Sequence, residues 1–181
     1  MSDKDAVRLA GLEMLDRISE TMKKVDWTSF VELADLLPRA RQTFVMGAGR
    51  SGLIARSFGM RLMHAGLPAF IPLETITPAT GPGDVVVVIS CTGQTGITNY
   101  IAGRARQVGA KVVALTADAD SPLARAADKV VLIPASDPDI VLRAAVFEHA
   151  SSVCLDAVFN VLTERLQLDL KVFRKHHANL E

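Results

Sequence analysis

Five consecutive β-branched residues, Val85-Val86-Val87-Val88-Ile89, run without a break into Ser90-Cys91-Thr92-Gly93-Gln94-Thr95. A strand with no polar alternation is buried on both faces, and such strands belong to parallel sheets with helices on either side. The periodicity predicts a helix over 97–108 directly after the loop. The chain is therefore expected to be an α/β protein, a three-layer αβα sandwich around a five-stranded parallel sheet.

The rest of the chain fits that frame. Short apolar runs predict strands at 43–46, 69–71, 112–115 and 130–133. Helices are predicted at 28–37 (ending before Pro38), at 51–65 (closed by Gly66) and near 122–126. Residues 72–84, with three prolines and two glycines, read as a loop. Val7, Leu9, Leu12, Leu15, Ile18 and Met22 make one apolar stripe of an amphipathic helix. An N-terminal helical segment over about 3–37 precedes the sheet, and residues 168–181 form a helical arm. No composition shift marks a boundary, so residues 1–181 read as one domain. The helix over 140–166 carries apolar residues beyond one stripe. A helix apolar on most sides needs cover on most sides, which predicts a homo-oligomer.

Composition excludes several classes. Lys plus Arg equals Asp plus Glu, so the formal net charge is zero. That gives no broad field for nucleic acid or an anionic membrane. The charges and amides within 141–162 argue against a membrane span. The polar N-terminus has no secretory pattern, and the two cysteines, Cys91 and Cys154, form no CxxC pair. The chain is expected to be cytoplasmic, with no metal and no cofactor.

The loop after 85–89 carries the first functional signal. Ligands of open α/β sheets sit at the carboxyl ends of the strands. Ser90, Thr92 and Thr95 offer hydroxyls there, and Gly93 lets the backbone come close to an anion. Gln94 completes the loop, and the following helix presents free N–H groups. A phosphate monoester is the expected ligand. A helix cap and turn would use the same residue types. A second glycine loop, Gly47-Ala48-Gly49-Arg50-Ser51-Gly52, follows the first strand and adds Gly49, Arg50 and Ser51 to the binding set. It matches GxGxxG, but the acidic partner of a dinucleotide site is incomplete, with only Glu74 nearby, and Walker's Gly-Lys-Ser/Thr ending is absent.

These loops, together with Met60-Arg-Leu-Met-His-Ala-Gly66, Glu74-Thr-Ile-Thr-Pro-Ala79, Gly81-Pro-Gly-Asp84 and the ending His177-Ala-Asn-Leu-Glu181, resemble the 6-phospho-3-hexuloisomerases. That family belongs to the sugar-isomerase (SIS) domain superfamily, and the likeness extends over about 14–181. The resemblance implies interconversion of D-arabino-hex-3-ulose 6-phosphate and fructose 6-phosphate in the ribulose monophosphate pathway of formaldehyde assimilation. It also implies a tetramer with sites near subunit contacts and no metal or organic cofactor. Two stretches depart from the family pattern. The loop usually reads Ser-Gly-Ser-Gly-Glu-Thr, against Ser-Cys-Thr-Gly-Gln-Thr here. Leu-Gly-Thr usually precedes the Phe-Glu of the long helix, where this chain has Arg143-Ala144-Ala145-Val146.

An enediol isomerisation needs a base at the C2–C3 edge and a proton donor near the two oxygens. Glu148, an acid on an apolar helix, is the expected base, and a salt-bridged structural glutamate is the competing reading. His64 is the candidate donor, although a histidine in the last turn of a helix also suits the helix dipole. His177 joins it if the tail reaches a site, its own or a neighbour's. Two rival readings share these residues: an isomerase of another phosphosugar, and a non-catalytic phosphosugar sensor. Sensors usually carry a helix-turn-helix domain, and too few residues precede Thr43 for one, so the enzyme reading is preferred.

Overall fold

Val85–Ile89 forms the middle strand of a parallel sheet, with all five residues buried. The computed structural model describes residues 1–179. Its strands are β1 (Thr43–Gly47), β2 (Ala69–Phe70), β3 (Val85–Ile89), β4 (Lys111–Thr116) and β5 (Lys129–Leu132). They lie in the order β2-β1-β3-β4-β5, and every neighbouring pair is parallel. The helices are α1 (Asp3–Lys23), α2 (Trp27–Leu36), α3 (Gly49–His64), α4 (Gly96–Gln107), α5 (Pro122–Ala126), α6 (Ile140–Arg165) and α7 (Leu170–His176). Leu180 and Glu181, the end of the expected 168–181 arm, lie outside the described residues.

Side-chain alternation along the strands sorts the helices into two layers. Val45, Val85, Val87, Ile89, Val113, Leu115 and Val131 face one way and meet α2, α3 and α6. Phe44, Val86, Val88, Val112 and Ala114 face the other way and meet α4 and α5. Each fully buried valine or leucine contributes about 1.5–3 kcal/mol relative to exposure. The sheet and α6, whose inward side holds Phe147, Ala150, Cys154, Leu155, Val158 and Leu162, therefore carry most of the core.

Several boundaries differ from the sequence reading. Pro38 does not stop the polypeptide's helical path. α2 ends at Leu36 and Pro38 enters a 3-10 turn, Leu37–Arg39, near whose start its missing N–H costs nothing. α3 begins at Gly49, not Ser51, which places Arg50 and Ser51 in its first turn. Gly47 and Gly52 pack strand against helix. A Cβ on Gly47 would stand 2.5 Å from the Ser51 carbonyl oxygen, and one on Gly52 would stand 2.7 Å from that of Gly47. This close crossing accounts for two glycines of the GxGxxG match.

α6 has the length and apolar composition to cross a membrane, yet over half of that stretch is buried within the fold. Its apolar girth is largely covered by α1, α2 and α3, while Ile140, Val141 and Val153 stay exposed. The stripe read on α1 divides. Ile18 and Met22 pack on the core, together with Met14, but Val7, Leu9, Leu12 and Leu15 are exposed because the first half of α1 runs past the domain body.

Candidate active site

The sheet order reverses between β1 and β3: the chain leaves β1 for the β2 edge and leaves β3 for the β5 edge. A crevice at the carboxyl ends of two such strands is where open α/β sheets bind ligands. Gly47 and Ile89 are register partners, so loops 47–51 and 90–95 leave the sheet side by side.

Both loops end in a helix whose N-terminus has no side-chain cap. Among the described residues, five of the seven α-helices start under a side-chain cap, from Ser2, Asp26, Ser121, Asp139 and Asp169. Helices α3 and α4 do not: the residue before α3 is Ala48, and Thr95 before α4 makes no cap bond. Their first N–H groups are left to an anion, which the helix dipoles also favour.

The loop over 90–95 is held from behind. Ser90 N–H donates to the Leu115 carbonyl (3.0 Å), and the Cys91 carbonyl accepts from Thr116 Oγ1 (3.2 Å) and Ala117 N–H (3.0 Å). The Ser90 and Thr95 hydroxyls are 3.4 Å apart, and Thr92 Oγ1 accepts from Gln94 N–H at 3.3 Å. Ser90 is buried, Thr92 and Thr95 are half-buried, and the Gln94 residue is exposed. The glycine at 93 has a different reason from the expected one. It sits at φ +60°, and a Cβ there would overlap Ser121 Oγ, so the close approach is to Ser121. Its N–H donates to the Ser90 carbonyl (3.2 Å), and its carbonyl accepts from Leu123 N–H (3.1 Å) and Asn99 Nδ2 (3.2 Å). Gly93 shapes the loop through bonds that are already made.

Across the crevice, Arg50 in the first turn of α3 pairs through Nε with Glu148 Oε2 on α6. The acid is buried at 8% side-chain exposure, and the arginine is exposed at 64%. Burial of a lone carboxylate is costly, and the guanidinium compensates it. Glu148 is thus both an acid on an apolar helix and a member of an ion pair. An open cavity of about 330 Å³ lies beside this pair, bounded by Arg50, Ile140, Val141, Ala144 and Ala145. Ser51 is buried in the same turn of α3 as Arg50.

His64 and His177 are elsewhere. Their rings stack with centroids 5.1 Å apart and planes 14° from parallel. His64 ends the 16-residue α3 that Gly49 begins. His64 is fourteen positions along α3 from Arg50, which at a rise of ~1.5 Å per residue is about 21 Å. The histidines stand at the amino-terminal edge of the sheet, away from Glu148 of the same protomer. Burial, then the neighbouring charges of His177, Arg61 and His176, push the His64 imidazole below its ordinary value. Glu74 does not reach the crevice either. It pairs with Arg56 on α3, and its loop borders a cavity of about 360 Å³ against Phe44, Val86, Ile101 and Arg104.

Two residues escaped the sequence reading as site elements. Ser121 backs the loop, and its Ser-Pro pair at a helix start was a readable cap signal. Arg143, noted only as a departure from the family pattern, stands beside Cys91. Desolvation pushes the Cys91 thiol up, and the Arg143 guanidinium opposes that. Among the described residues, no group of three or more His, Cys, Asp or Glu side chains is placed to hold a metal ion.

The SIS domain family model matches residues 36–159. A 3-hexulose-6-phosphate isomerase of Mycobacterium gastri is 37% identical over 173 residues, 92% of this chain and 87% of that protein. The 3-hexulose-6-phosphate isomerase of Bacillus subtilis is 35% identical over 177 residues, 93% and 96% of the two chains. A Methanococcus jannaschii crystal structure, from which a 3-hexulose-6-phosphate isomerase function was inferred, superposes with a TM-score of 0.85. It is 28% identical, with 93% of this chain and 99% of that one covered.

Proposed function

The chain belongs to the SIS domain family, among its 3-hexulose-6-phosphate isomerases, and on that premise we propose that it interconverts D-arabino-hex-3-ulose 6-phosphate and fructose 6-phosphate. The observation that carries the reading is the crevice itself. Two uncapped helix N-termini and a hydroxyl loop face a buried carboxylate at the switch point of the sheet.

The phosphate is held by Ser90, Thr92 and Thr95 with the free N–H groups of α4, and Ser51 and the start of α3 border the same space. Gly49, Gly93 and Gln94 shape the two loops. Arg50 turns from Glu148 to the incoming anion or sugar oxygens; the buried carboxylate is then uncompensated, a cost that substrate binding offsets and that strengthens its hold on a proton. Glu148 then removes the C2 proton of the 3-ketose. The electron pair forms the C2–C3 double bond, and O3 takes a proton to give the enediol. Return of a proton to C3 and loss of the O2 proton complete the 2-ketose. The enzyme class is that of intramolecular oxidoreductases.

His64 and His177, supplied by a neighbouring protomer, give the proton to O3 and take the one from O2. The length of α3 supports this placement, as does the exposed apolar surface at Ile140 and Val141 beside the cavity. The assembly is a homo-oligomer, by family resemblance a tetramer, of single-domain chains over 1–181. It works in the cytoplasm within the ribulose monophosphate pathway, where both free cysteines stay reduced.

A coupled assay tests the reading: hex-3-ulose 6-phosphate is offered and fructose 6-phosphate is followed. Conversion is expected. Turnover only of an aldose phosphate would replace the substrate, and tight phosphosugar binding with no turnover of any would make the protein a sensor.

A further inference from the structure

Arg143 is a cation without a counter-ion. Its Nε is buried and has no hydrogen-bond partner, and it enters none of the ion pairs found among the described residues. The carboxylate five positions along α6, Glu148, is already taken by Arg50. Arg143 is half-buried, and an N–H donor withdrawn from water and left without an acceptor is costly. Local structure does not require it there: α6 is capped by Asp139, which accepts from the N–H groups of Val141 and Leu142.

Its neighbourhood supplies the missing partner. Arg143 faces the thiol of Cys91, the second residue of the loop that follows β3, and Glu148 acts on that thiol too. Cys91 is fixed through its carbonyl by Thr116 and Ala117, so the guanidinium is held at the rim of the hydroxyl loop. The two stretches that depart from the family pattern, at 91–94 and at 143–146, thus meet in space. One brings a guanidinium to a loop whose own residues carry no charge.

We propose that Arg143 is a specificity-determining residue that binds the phosphate of the substrate and selects its dianionic form. This rests on the proposed function for the position of the phosphate. Hydroxyls and helix N–H groups accept either a monoanion or a dianion. A forked cation paired with two phosphate oxygens favours the dianion. Arg50 remains free to serve Glu148 and the sugar.

The test uses R143L and R143K in the full chain, with two readouts. In the isomerase assay, R143L is expected to raise KM ~10- to 100-fold, the worth of a lost charge-assisted contact, with kcat within a few-fold. R143K, which keeps the charge but not the fork, falls between R143L and the parent. The parent KM rises as pH drops through the second phosphate ionisation near 6, and R143L flattens that rise. In the second readout, inorganic phosphate raises the melting temperature of the parent and, at the same concentration, raises that of R143L by clearly less. Parent-like KM and an undiminished phosphate shift in R143L, or in R143K should R143L not fold, overturn the proposal. So does a loss confined to kcat. If the parent turns over no hexulose phosphate, the proposed function fails, and the phosphate shift still decides Arg143.

Discussion

A single contact decides how the site is read at the scale of residues: Glu148 held by Arg50. A structural ion pair would leave turnover unaffected by changes that preserve packing. Glu148→Gln keeps the shape and one hydrogen-bond acceptor for Arg50 but cannot take a proton. Loss of a general base costs ~10²- to 10⁴-fold in rate. The expected outcome is a folded variant with near-parental KM and kcat reduced by that factor, measured in the coupled assay. A kcat within three-fold of the parent would return Glu148 to a purely structural role. The sequence already singled out this acid, because a carboxylate amid Val146, Phe147 and Ala150 has few reasons to be there. It did not show Arg50 as the partner, since the pair joins positions 98 residues apart through the packing of α3 on α6.

Among elements, the strands were the most readable part of the chain, since runs such as 85–89 admit only a two-sided burial. β2 shrank to two residues because it is an edge strand bonded only to β1. α3 starts two residues before the expected 51: Gly49, a residue type typical of loops, takes φ +56° and opens the helix. The separation of Arg50 from His64 is legible in the sequence, since Arg50 directly precedes the helix expected over 51–65 and His64 lies in its last turn. α7 docks at the far end of that helix. His177 stacks on His64, Phe173 meets Phe159 edge-on, and the His176 ring covers Gly66. This junction carries a pH dependence. His64 titrates below its ordinary 6.5, mainly because burial disfavours the charged ring and then because His177, Arg61 and His176 add positive charge. A lowered folded-state value means that the unfolded chain takes up the proton first. The stabilising contribution is complete above pH 6.5 and is lost as pH falls from there through the lowered value. Melting temperatures recorded between pH 7.5 and 5 are expected to decline below 6.5, and His64→Gln to flatten that part of the decline. An identical slope in the variant would place the acid sensitivity elsewhere.

For the whole molecule, the question is why a protomer should keep its proposed base beside the first turn of α3, paired with Arg50, and its proposed acids at the other end of that helix, about 21 Å farther along it. Closure within the chain would need α3 to break, and nothing in its buried face (Ala55, Phe58, Gly59, Leu62) allows that. Association of copies has no such cost. The protomer exposes Val7, Leu12 and Leu15 on α1, Val153 on α6, and Ile140 and Val141 beside the cavity, a distribution that a second copy would cover. If a neighbour's histidines face Glu148, two different dead variants must complement each other. Glu148→Gln lacks the base but donates its His64 to the next protomer. His64→Ala lacks the donor but keeps a base for its neighbour to complete. Each alone is expected to be inactive. Co-expressed, they form mixed assemblies in which up to about a quarter of the sites are whole, for random pairing of two-subunit sites. Tagged copies purified in tandem would establish that mixed assemblies are present, and the coupled assay would read their activity. Recovery of a tenth or more of parental turnover is expected. Mixed assemblies that remain as inactive as either parent would show that base and donor do not come from different chains. An active His64→Ala would remove that histidine from the mechanism, leaving it the role it already plays in holding α7.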